Sequence, residues 1–196
     1  SHAEKEEVET AVRERMGDMN TTRVVVRQGS TYSPLDLRKV GAGRARSIIV
    51  LASDTAGEEG EEDADMSAIK TLLALRRIPG ALTRNHATVE LIDSARKQVV
   101  EQLGGGGVEV VAMEETLSRM MVQTSRQNGL AEVYRSLLSY EGSEFYFKAF
   151  PELKGQAFGE AQWKMKDAVV VGYRRPAQGE VAAATILNPK DEVVLE

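Results

Sequence analysis

The chain has 196 residues, 42% of them hydrophobic, no cysteine and a formal net charge of -5. That length holds one domain, or one domain with a small appendage, and the apolar content is enough for a core. The acidic balance argues against a nucleic-acid surface, the lack of cysteine removes disulfides, thiolate metal sites and cysteine nucleophiles, and no apolar run approaches the roughly 20 residues of a membrane-spanning helix.

Ser1-His2-Ala3 stands outside the pattern that follows and reads as a cloning remnant rather than a signal peptide. From Glu4 to Met16, Val8, Ala11, Val12 and Met16 recur at helical spacing, and Gly17 is placed to end the helix. Val24-Val25-Val26, within Arg23 to Arg27, predicts a buried strand closed by Gly29-Ser30. Ser33 and Pro34 then supply a helix cap and a first helical residue, with Asp36 three after the cap and Gly41 at the far end. Ser47 to Ala52, with Ile48-Ile49-Val50-Leu51 in a row, predicts a strand buried on both faces. Asp54 follows it, at the carboxyl edge where open α/β sheets bind ligands.

An acidic run, Gly57 to Asp65, reads as a solvated loop before a helix from Asp65 to Arg77 whose inner face is Ile69, Leu72 and Leu73. Thr88 to Ile92 is the next strand. Asp93 caps a helix carrying Val99, Val100 and Leu103, which Gly104 to Gly107 stop, and Val108 to Met113 is a fourth strand. Strand and helix alternating at this spacing predict right-handed crossovers and a parallel, doubly wound, Rossmann-like sheet. Two amphipathic helices follow across about 114–140, with Leu117, Met120 and Met121 on one and Leu130, Val133, Tyr134, Leu137 and Leu138 on the other, broken at Asn128-Gly129. From Glu144 the period changes. Phe145-Tyr146-Phe147, Val169-Val170-Val171 and Thr185-Ile186-Leu187 predict short strands around a helix from Phe158 to Lys164, with the aromatic stripe and Trp163 in the core. The organisation expected is therefore α/β: a Rossmann-like unit over 1–142 and a small α+β lobe over 143–196.

The chemistry of catalysis is missing. There is no GxGxxG, Walker, GxSxG or HExxH motif, and the glycine run follows a helix, the wrong order for cradling phosphate. His86, at the start of a strand, is the one histidine outside the first three residues. What remains is acidic: Asp54, Asp63, Asp65, Glu90 and Asp93 fall near the carboxyl ends of neighbouring strands, and such carboxylates suit a hard cation such as calcium or serve as a solubilising rim.

Several blocks, spread from end to end, carry a resemblance: Arg44-Ala45-Arg46-Ser47-Ile48-Ile49-Val50-Leu51-Ala52, Val89-Glu90-Leu91, Arg126-Gln127-Asn128-Gly129-Leu130-Ala131, Glu144-Phe145-Tyr146-Phe147-Lys148 and Ile186-Leu187-Asn188-Pro189. Together they resemble the first regulatory domain of the CASTOR and POLLUX family of plant ion channels, a version of the RCK domain that regulates potassium conductance. The resemblance implies a non-enzymatic gating-ring module, bound to other RCK-like domains of the same homo-oligomeric channel at the nuclear envelope. It meets the membrane only through a pore domain, and calcium binds the ring and tunes the pore. Asp54, Asp65 and Asp93 match acids of the family. It also implies a middle fragment: a full RCK N-lobe opens with strand, helix and strand before the first helix here, and a Gly-Asp-containing strand follows the position of Glu196. Such a sheet is expected to have exposed edges or to exchange elements between chains. The alternative reading is a nucleotide-sensing regulatory domain of a potassium transporter.

Overall fold

The computed structural model describes residues 5–16, 21–52, 64–83, 86–139, 144–176 and 183–195. The chain divides into two compact units, Ser1–Asn128 and Gly129–Glu196.

The first unit opens on α1 (Lys5–Met16), an amphipathic helix with no buried residue. The run over 22–28 has no regular secondary structure and joins no ladder among the described residues, and Val24 and Val25 are exposed, so the strand expected at Arg23 to Arg27 does not form. β-Branched residues favour strands only where a partner and a packed face exist, and this segment has neither. Helix α2 (Pro34–Lys39) forms as its local signals dictate: the Ser33 side chain accepts the Asp36 N–H at 3.3 Å, Pro34 occupies the first turn and Gly41 turns the chain at φ 77°. The Lys39 ammonium, 2.7 Å from Asp36, holds that carboxyl below its ordinary range, aided by the Ser30 N–H.

The core of the unit is a parallel sheet, in the order β1 (Ser47–Val50), β2 (His86–Leu91), β3 (Val108–Ala112). Helix α3 (Ala64–Arg76) connects β1 to β2, and α4 (Lys97–Gly104) connects β2 to β3. Consecutive strands joined by right-handed crossovers place both helices on one face. Register confirms which residues lie beneath them: Val50, Val89 and Val110 align, as do Ile48, Ala87 and Val108. Val50, Ala87, Val89, Leu91 and Val108 pack with Ala68, Leu72 and Leu75 of α3 and Val100 of α4. The helix faces differ from expectation at two positions, since Leu73 and Val99 are exposed and the buried stripe of α3 runs through Ala68, Leu72 and Leu75.

The other face, with Ile49, Thr88, Glu109 and Val111, is more open. Ile49 is 71% exposed, so β1 is not buried on both faces as its apolar run predicts. It is an edge strand of the described sheet, and the crossover helices cover a single side. Gly105 in the left-handed region, φ 61°, closes α4 as the glycine run predicts. Helix α5 (Met113–Arg126) follows β3 and completes the described part of this unit.

The second unit begins with α6 (Leu130–Leu138), entered through Gly129 at φ 89°. Its later part holds α7 (Phe158–Lys164) and an antiparallel pair, β4 (Gly172–Arg175) and β5 (Ala184–Leu187). The segment ending at Leu195 folds back on the start of α7: the Gly155 N–H donates to Leu195 O at 2.7 Å and the Phe158 N–H to Val193 O at 2.8 Å. That places Leu153, Phe158 and Ala161 in a small core. Phe145, Tyr146 and Phe147 are exposed and form no strand, Val169-Val170-Val171 precedes β4 instead of forming a strand, and Trp163 is 90% exposed. The expectation that these aromatics are core fails because the small core of this unit is already filled by Phe158 with Leu153 and Ala161, and no described layer covers the other four rings.

Candidate functional site

Three of the five acidic residues the sequence singles out, Asp65, Glu90 and Asp93, lie about the carboxyl ends of β1 and β2. Asp65 sits in the first turn of α3 and is 1% exposed. Its Oδ1 accepts the Ile92 N–H at 2.7 Å, its Oδ2 accepts the Asp93 N–H at 3.1 Å, and Arg96 Nη1 lies 3.4 Å from Oδ2. A buried carboxylate needs this much compensation. Asp65 therefore fastens the start of α3 to the turn that leaves β2.

Glu90, on β2, accepts the Ala52 N–H on Oε2 at 3.0 Å and so holds the chain where it leaves β1. Asp93 caps the helical turn Ser94–Arg96 that leads into α4, its Oδ1 accepting the Ala95 N–H at 2.9 Å. Helix α5 starts at the same edge, where the Glu114 N–H donates to Ile92 O at 3.3 Å. Asp54 and Asp63 lie outside the described residues. His86 is at the opposite end of β2, with Nε2 3.5 Å from Glu109 Oε2 on the open face. Arg96 is the participant that sequence reasoning misses. Its signal is its place three residues after the capping Asp93, where a helical turn returns a cation toward the strand end.

Asp65, Glu90 and Asp93 are thus each engaged by at least one backbone N–H group. Glu90 Oε1 and Asp93 Oδ2 have no hydrogen bond among the described residues, whereas calcium takes about six to eight oxygens. No group of three or more metal-ligating side chains occurs among the described residues. These three acids by themselves do not make a calcium cage. What the arrangement does is bind the segments flanking 53–63 to the end of one strand, on the side of the sheet where α/β folds take ligands.

A family model described as the calcium-activated potassium channel slowpoke-like RCK domain matches residues 5–122, and one described as Castor and Pollux, part of voltage-gated ion channel, matches residues 114–196. The parallel sheet with its crossover helices and the first of these matches define the class: an RCK-type domain. Curated relatives agree over almost the whole chain. It is 36% identical over 192 residues to the probable ion channel SYM8 of Pisum sativum, 36% over 194 residues to the probable ion channel CASTOR of Oryza sativa subsp. japonica, and 35% over 193 residues to the ion channel CASTOR of Lotus japonicus. Each alignment covers 98% of this chain and 21%, 21% and 22% of the relative, so the chain spans about a fifth of these proteins. The chain belongs to the CASTOR and POLLUX family, whose members matched here are ion channels and not enzymes. Among solved structures, the crystal structure of the GsuK RCK domain aligns over 95% of this chain and 38% of that chain, at 16% identity and a TM-score of 0.40, too low to carry an argument. No described helix is long and apolar enough to cross a membrane.

Proposed function

We propose that this chain is a gating-ring domain of a CASTOR/POLLUX-like cation channel of the nuclear envelope, which senses calcium and couples its binding to pore opening. The observation that carries this reading is the RCK-type match over residues 5–122, the part that holds the parallel sheet and its acidic carboxyl edge. Calcium would be taken by Asp54 and Asp63 together with the spare oxygens of Glu90 and Asp93, while Asp65 keeps the edge in register. A ligand shifts a conformational equilibrium only through different affinity for its two states. Here the difference arises because turning Glu90 toward a cation competes with its hydrogen bond to Ala52, and so alters how β1 leaves the sheet.

Other RCK-like domains of the same channel are the partners in this reading, and α5 and α6 supply the contact. Leu117 and Met121, four apart on α5, are exposed on one face, and Val133 and Leu138 of α6 are exposed apolar residues as well. Leu138→Asp is expected to leave the secondary structure intact and to turn a dimer into a monomer in sedimentation velocity, because burying a carboxylate in an apolar contact is prohibitive. An unchanged sedimentation coefficient would remove α6 from the interface. Calcium titration by calorimetry tests the ion-sensing part.

A further inference from the structure

Helix α5 starts without a side-chain cap of its own. Its N-cap position is Ala112, which has no oxygen beyond Cβ to accept the first helical N–H groups. One of those groups, the Glu114 N–H, donates instead to Ile92 O at 3.3 Å, just past the end of β2. That carbonyl belongs to the peptide unit joining Ile92 to Asp93, and the N–H of the same unit is the Asp93 N–H, which Asp65 Oδ2 accepts at 3.1 Å. A trans peptide is planar, with its N–H and C=O pointing to opposite sides. Clasping one end therefore aims the other. The Ile92 N–H, one unit earlier, goes to the second oxygen of the same carboxylate at 2.7 Å, so the chain is held on both sides of Ile92.

We infer that the Ile92–Asp93 peptide is the link through which the acidic carboxyl edge sets the seating of α5. In the arrangement observed it joins the buried Asp65 carboxylate to the first turn of α5; turned about its flanking Cα atoms, it releases both at once. Helix α5 also packs against the turn Ser94–Arg96, which the Asp93 side chain caps, so a pull on Asp93 reaches α5 by two routes. Such an element couples two sites because both bias one equilibrium, and the coupling is reciprocal: loosening the start of α5 loosens the clasp by the same factor. That calcium is what turns the peptide, and that α5 meets other domains, rests on the function proposed above. The link itself needs neither.

Amide hydrogen exchange resolved to single residues by NMR, on the whole chain in calcium-free buffer, tests it. Asp65→Ala is compared with Leu72→Ala, a core substitution of similar expected cost that leaves the peptide untouched. The Glu114 N–H is expected to exchange about ten-fold faster in Asp65→Ala than in Leu72→Ala, the weight of one hydrogen bond. The converse variant, Glu114→Pro, removes the donor in the first turn of α5, where proline is tolerated. It is expected to speed exchange of the Asp93 N–H while the amides of α4 keep their wild-type rates. Should Asp65→Ala not fold, Glu114→Pro decides alone. Two results overturn the inference: equal Glu114 exchange in Asp65→Ala and Leu72→Ala, or Asp93 exchange unchanged in Glu114→Pro. With no calcium present, neither result depends on the calorimetric titration, whose failure would remove the ion and not the link.

Discussion

Asp65→Ala is expected to lower the unfolding free energy by about 3 kcal/mol, because it removes a buried carboxylate that accepts two backbone N–H groups. The loss falls on Ile92 and Asp93, whose amides lie 2.7 and 3.1 Å from the carboxylate, and the ion pair between Arg96 and Asp65 goes as well. Asp65→Asn keeps the volume but presents an NH2 group to one of the two amide donors, so it should fall between the wild type and alanine. Asp93→Ala serves as the contrast. It removes a single cap on an exposed turn and should cost about 1 kcal/mol. Urea denaturation of the three variants measures the series. A cost for Asp65→Ala no larger than that for Asp93→Ala would mean that the carboxylate does not hold the strand end.

Leu72→Ala should cost a comparable amount, about 3 kcal/mol, from lost transfer energy and the cavity left behind. Leu72 is fully buried in α3 among the core residues of β1, β2 and α4. The backbone around it is fixed by ladders on the sheet side and by the docking of the 30–33 segment on α3, so collapse into the void is limited. Leu73→Ala, one residue on and exposed, should change stability by less than about 0.5 kcal/mol. Equal effects at the two positions would contradict the assignment of the buried face.

The parts of this fold that a reader of the sequence can place to the residue are those whose determinants are local. Helix α2 is framed by Ser33, Pro34, Asp36 and Gly41, all within nine residues of one another, and α7 lies at Phe158 to Lys164 as its pattern indicates. Where the outcome depends on a distant partner, the sequence pattern misleads. Val24-Val25-Val26, Phe145-Tyr146-Phe147 and Val169-Val170-Val171 have strand composition, but a strand exists only with a neighbour, and composition does not say whether one is there. The same holds for burial, because Ile49 and Trp163 look like core residues until the covering layer is found to be elsewhere.

At the candidate site, the sequence places Asp65, Glu90 and Asp93 near the carboxyl edge of the sheet, where they lie, but not their partners. Asp65 is bound to amides 27 and 28 positions later, a relation that follows only from the crossover connecting α3 to β2. A carboxylate that looks like a ligand on paper is thus also a structural clasp. Family membership and the sheet's open carboxyl edge lead to the same region, since the RCK-type match covers all three described acids.

If the acidic edge senses calcium, as proposed, calorimetric titration of calcium distinguishes the chain from a variant carrying Asp63→Asn and Glu90→Gln. Neither substitution touches the Asp65 clasp, and Glu90→Gln keeps a carbonyl oxygen able to accept the Ala52 N–H, so circular dichroism and urea denaturation of the variant separate lost binding from lost folding. The expected result is a saturable heat in the wild type that is lost in the variant. Absence of binding in the wild type, or the same binding in both proteins, would contradict it.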